Sequence, residues 1–94
     1  MLESEIEKFF VKKVALNKGM AIKLYSPSFT GLPDRMVLFP GGLMFFAELK
    51  RPGAKPRPRQ KYVHKTLRDL GFKVYVIDGK AAAEEAIKIE IQGA

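Results

Sequence analysis

The stretch DRMVLFPGGLMFFAELK, from Asp34 to Lys50, contains two apolar runs rich in strand-forming residues, separated by Pro40-Gly41-Gly42. Strands over Asp34–Phe39 and Leu43–Leu49 joined as a hairpin are the direct reading. Alternate residues of a strand share a face, so Met44, Phe46, Glu48 and Lys50 point one way, and Asp34 shares its face with Met36 and Leu38. If Pro40-Gly41-Gly42 is the whole loop, Phe39 opposes Leu43 and Asp34 opposes Glu48 on one side of the sheet. A Gly-Gly loop would slide the pairing by one residue and send the two carboxylates to opposite faces. The expectation is therefore the three-residue loop, or a compensating bulge, with a glycine supplying positive φ.

Outward from the hairpin, Leu2, Ile6, Phe9, Phe10 and Val14 recur at helical spacing, which predicts a helix over 2–18 ended near Gly19. Met20–Tyr25 reads as a strand and Ser26–Pro33 as a loop. Arg51–Arg57, with its prolines and glycine, is a second loop. Pro58 suits a first helical position and Gly71 a helix stop. Phe72–Ile77 is a fourth strand, and Lys80 to about Ile89 a last helix. The predicted fold class is α/β, in the order α-β-β-β-α-β-α, over a single domain spanning 1–94. A helix between the third and fourth strands predicts a parallel crossover and hence a mixed sheet. Phe9, Phe10, Phe45 and Phe72 are assigned to the core.

With 47% hydrophobic residues, Phe 7 and Tyr 3, the chain of 94 residues has a globular composition. It has no cysteine and one histidine, which excludes disulfides, zinc-thiolate sites and clusters built on histidine. No apolar run approaches the roughly 20 residues of a membrane span, so a cytoplasmic protein without membrane partners is expected. Lys+Arg 17 against Asp+Glu 10 gives a net charge of +7. The excess concentrates between Lys50 and Arg68. Such a segment suits a polyanion whose neutralised phosphates release counterions, although a merely solvated basic surface would read the same. Lys55, Arg57, Arg59 and Lys61 are the expected phosphate contacts, on a loop that Pro52, Pro56 and Pro58 keep extended.

Two carboxylates and a lysine at one sheet edge have two readings. Lys50 could simply salt-bridge a polar strand end. Alternatively, the carboxylates hold Mg²⁺ or Mn²⁺, which take oxygen ligands, and Lys50 assists attack on a phosphodiester. Gln60 lies on one helix face with Val63, Leu67 and Leu70, so its amide is expected to point inward, toward the lysine or to a helix-terminus hydrogen bond. His64 sits beside that face and is read as a DNA-facing or surface residue.

Pro33-Asp34 followed by Glu48-Leu49-Lys50 resembles the PD-(D/E)XK nuclease signature. More narrowly, Gly31-Leu32-Pro33-Asp34-Arg35, Pro40-Gly41-Gly42, Phe46-Ala47-Glu48-Leu49-Lys50 and Gln60 resemble the VRR-NUC (virus-type replication-repair nuclease) family, over nearly the whole chain. The resemblance implies a restriction-endonuclease-like mixed sheet and a DNA nuclease dependent on Mg²⁺ or Mn²⁺. It implies Asp34, Glu48 and the Leu49 carbonyl as metal ligands, Lys50 as the catalytic lysine, and Gln60 as a further site residue. It also implies an acid from the first helix. A helical wheel favours Glu3 there, with Glu7 second and Glu5 on the far side. Arg51, Lys55, Arg57, Arg59 and Lys61 would meet the DNA. Branched DNA such as four-way Holliday junctions is the implied substrate, and a homodimer, in a bacterial or phage-infected cell, the implied assembly. An exposed apolar part of the first or the last helix is a candidate dimer surface. A flap nuclease and a non-catalytic nucleic-acid-binding domain are the rivals.

Overall fold

The computed structural model describes residues 1–93. Its elements are α1 (Glu3–Leu16), β1 (Met20–Lys23), β2 (Arg35–Phe39), a 3₁₀ turn (Pro40–Gly42), β3 (Leu43–Leu49), α2 (Pro58–Asp69), β4 (Val74–Ile77) and α3 (Lys80–Gln92). This is the predicted order, with trimmed ends. β1 stops at Lys23 rather than Tyr25, β4 starts at Val74 rather than Phe72, and α3 runs on past Ile89. At the end of α1 the left-handed residue is Lys18, with φ 65°. Gly19 is needed for a different reason: a Cβ there would lie 2.6 Å from the Phe39 ring.

The strands form one sheet in the order β1-β2-β3-β4. β1–β2 and β2–β3 are antiparallel, while β3–β4, joined through α2, is parallel. The mixed sheet is thus as expected. In the hairpin Phe39 pairs with Leu43 and Arg35 with Ala47. Pro40–Gly42 makes a complete three-residue loop, with Gly41 at φ 86° and Gly42 at φ 78°. Continuing the register one step past Arg35 sets Asp34 opposite Glu48.

The two faces of the sheet are covered differently. Ile6, Phe10 and Val14, spaced four apart on α1, are buried together with Ala83, Ala86 and Ile87 of α3 against Val37, Phe39, Phe45, Ala47, Leu49 and Ile77. Phe45 is the centre of this layer, with its ring centroid 6.3 Å from Phe10 and 5.0 Å from Tyr75. α3 is fastened to β4 by a buried acid: Tyr75 donates to Glu90 at 2.6 Å and Lys73 at 3.0 Å. The opposite face carries α2 through buried Val63 and His64. Phe72, 45% exposed, and Leu70, 69% exposed, lie outside the core, contrary to expectation. Both fall at the turn after α2, where the chain leaves the sheet face before β4 begins.

Phe45→Ala should destabilise the protein by about 3–5 kcal/mol, read as a shifted midpoint in chemical denaturation. A loss below about 1 kcal/mol would mean that the layer closes around the missing ring.

Candidate active site

Glu48 is the last acid on β3, and its side chain is 1% exposed. A carboxylate withdrawn from water needs partners, and three converge on it. Gln60 Nε2 donates to Oε2 at 3.1 Å, Lys50 Nζ lies 3.6 Å from the same oxygen, and His64 Nε2 is 3.4 Å from Oε1. Asp34 completes the group from the neighbouring strand. Its Oδ2 accepts the Leu49 backbone N–H at 2.8 Å, standing in for a ladder acceptor just where β2 begins. Pro33, fully buried, fixes the chain immediately before it.

The electrostatics follow from this placement. Burial first, and the Asp34 charge second, push the Glu48 carboxyl up to about 8 against the opposing pull of Lys50. Burial, with Arg68 and Lys50 nearby, holds His64 below the ordinary imidazole range despite Asp34. A neutral His64 can therefore either accept a proton from protonated Glu48 or donate to its carboxylate, depending on tautomer.

Asp34, Glu48, Lys50 and Gln60 thus come together as expected, but Gln60 reaches Glu48 rather than the lysine. It also serves the helix end, because its Oε1 accepts the Arg57 N–H at 2.8 Å. His64 corrects the sequence reading: at 2% exposure it is neither a surface nor a DNA-facing residue, and it touches Glu48. Its position one turn after Gln60 on the same helix was the available signal. Among the acids of α1, Glu5 accepts the Leu2 N–H at 2.9 Å and Glu7 accepts Arg35 Nε at 3.0 Å. Glu3 is exposed, and among the described residues no hydrogen bond or ion pair joins it to the cluster. Arg51, Lys55, Arg57, Arg59 and Lys61 are all exposed on the loop after β3 and the first turn of α2. Both segments adjoin the Glu48 cluster in the chain. Among the described residues, no group of three or more His, Asp or Glu side chains is set to hold a metal, and no helix is long and apolar enough to cross a membrane. A cation here would rest on two carboxylates plus backbone or substrate oxygens.

No family model matches the chain. A relative from Acyrthosiphon pisum secondary endosymbiont phage 1, named "Putative nuclease p44", is 44% identical over 78 residues, covering 83% of this chain and 84% of the phage protein. A solved structure described as a VRR-NUC domain superposes with a TM-score of 0.86 at 28% identity, over 92% of this chain and 94% of that one.

The raised Glu48 pKa sets a pH dependence. In the window between 4.5 and about 8 the folded state binds more protons at this group than the unfolded chain. Its contribution is therefore complete below 4.5 and is lost as pH rises through about 8. His64 has the opposite sign, but below its ordinary 6.5. Thermal melting in chelator should therefore show stability falling between pH 6.5 and 8, with a shallower slope in Glu48→Gln; equal slopes would remove Glu48 as the cause.

Proposed function

The chain belongs to the VRR-NUC family of nucleases, and from that premise we propose that it hydrolyses DNA phosphodiesters with the help of Mg²⁺ or Mn²⁺ held by Asp34 and Glu48. The observation carrying this reading is the convergence of the two carboxylates from adjacent strands, one of them driven up in pKa by burial first and by the other's charge second. Such a pair fits a hard divalent cation, which takes carboxylate oxygens and leaves room for water and phosphate. In a strand, one residue's N–H and C=O point to the same edge. The Leu49 N–H faces Asp34, so the Leu49 carbonyl lies along that edge and is the backbone oxygen available to the same ion. With Glu5 and Glu7 engaged elsewhere on α1, Glu3 is the helix acid left to join the set through water.

A bound cation supplies positive charge to the phosphodiester and acidifies a water. The chain's own residues do the rest. Lys50, on the same face as Glu48, carries an ammonium that orients the attacking water and offsets charge developing on the phosphate. Gln60 anchors one Glu48 oxygen and His64 restrains the other, so the carboxylate keeps its aim. Arg51, Lys55, Arg57, Arg59 and Lys61 meet the flanking phosphates and hold the strand in register. Branched DNA is the proposed substrate class and a homodimer the proposed assembly, since a symmetric pair offers two sites to two strands. Support for a second copy comes from the sheet face beside α2, where Met20 is 60% exposed and Ile22, Met36, Leu38 and Met44 all keep access to solvent.

Incubation of linear, flap and four-way DNA with Mg²⁺ or Mn²⁺ should give cutting that chelator abolishes, with the branched forms preferred. Asp34→Asn and Lys50→Ala should each slow it by about 10²–10³-fold while DNA binding persists. Binding without cutting by the unaltered protein would favour the non-catalytic domain, in which Lys50 merely pairs with Glu48. Solution mass at micromolar concentration should be twice that of the chain; a monomer would count against the two-site arrangement.

A further inference from the structure

Along one flank of α2 lies a groove of about 470 Å³, within the range of roughly 300–1,000 Å³ typical of ligand clefts. Phe29 and Leu32, from the loop before Asp34, form one wall. Arg59, Tyr62, Val63 and Leu70 form the other. The Arg59 guanidinium carbon sits 5.5 Å from the Phe29 ring centroid and 5.3 Å from that of Tyr62, between two rings that are 48% and 62% exposed. Arg59 Nε donates to the Thr30 carbonyl at 3.2 Å, which ties the walls together. Gly31 makes the close approach possible. It has φ +87°, and a Cβ there would lie 2.9 Å from Arg59 and Val63. The groove is thus built in advance, by the same loop that delivers Asp34 and the same helix that delivers Gln60 and His64.

We propose that this groove receives an unpaired nucleobase of the DNA substrate, stacked on Tyr62 and Phe29 beside the Arg59 guanidinium. The inference rests on the nuclease reading and narrows its substrate to DNA with unpaired nucleotides next to a branch or duplex end. The lining contains no acid and one cation, Arg59, so the charge suits a phosphate-bearing occupant. Flat aromatic and guanidinium surfaces stack on any base face. Inside a duplex both faces of a base are already covered by its neighbours, so only an unpaired base can present one. An acidic or purely apolar peptide would leave either the rings or the cation without a partner.

The test uses a tailed duplex with 2-aminopurine in the unpaired strand next to the junction, and a fully paired duplex of the same sequence, both in chelator to prevent cutting. The tailed probe should change fluorescence on binding, and Tyr62→Ala and Phe29→Ala should each weaken its affinity by about ten-fold or more. Affinity for the paired duplex should stay within about two-fold, and Tyr62→Phe should behave as the unaltered protein. Both rings are exposed, and circular dichroism of each variant checks that it folds. Equal losses on the tailed and paired probes, or no loss, would overturn the proposal. So would variants that shift the solution mass from dimer to monomer, since a second copy would then fill the groove. If the unaltered protein cuts no DNA with Mg²⁺ or Mn²⁺ yet the tailed probe responds, the nuclease reading falls and the groove stands as a single-strand site. Cutting without a probe response would overturn the groove alone.

Discussion

A carboxylate buried beside a second carboxylate is costly, and most of this molecule is arranged around that cost. Glu48 ends a central strand at 1% exposure. Asp34 approaches from the next strand, held there by the Leu49 N–H. Lys50, Gln60 and His64 each satisfy part of Glu48, but the first is 3.6 Å away and the last two carry no full charge. Glu90, the other buried acid, shows the contrasting solution: a direct lysine contact at 3.0 Å and a tyrosine hydroxyl at 2.6 Å fasten α3 to β4. A structural role needs only such pairing. The Glu48 arrangement leaves its acid with a raised pKa, and the proposed cation would be the partner that favours its charged form.

The fold delivers this arrangement by dividing its labour between the sheet faces. α1 and α3 bury the apolar layer around Phe45 on one side. α2 lies on the other and brings amide and imidazole rather than a full apolar stripe. The loop before β2 and the first turn of α2 meet through Gly31 and Arg59. The segments that carry Asp34 and Gln60 are thereby fixed relative to each other. A chain of net charge +7 thus holds acids at its centre while Arg51, Lys55, Arg57, Arg59 and Lys61 stay exposed.

Much of this was legible in the sequence, for reasons that are local. Taking Pro40-Gly41-Gly42 as the whole loop, or a shorter loop with a compensating bulge, sets Asp34 opposite Glu48, and the pairing of Phe39 with Leu43 is that of the three-residue loop. Pro58 and Gly71 bracketed α2 through fixed φ and positive φ. Side-chain destinations were less legible. His64 has the composition of a surface residue and becomes buried only because α2 is seated over the end of β3. Glu7, second among the α1 acids for the site, is instead engaged by Arg35 of β2. Phe72, expected in the core, precedes β4 and stays exposed.

Residue order by itself therefore determined the element sequence, the hairpin register and the two acids with their lysine, since each depends on neighbours within a turn or one strand pair. Only the tertiary structure decided which partners Glu48 receives, which acid of α1 is engaged, and that Phe29, Arg59 and Tyr62 enclose a groove. Those outcomes depend on the angle at which helices seat on the sheet. That angle is set by the packing of many side chains together and leaves no periodic mark in the sequence.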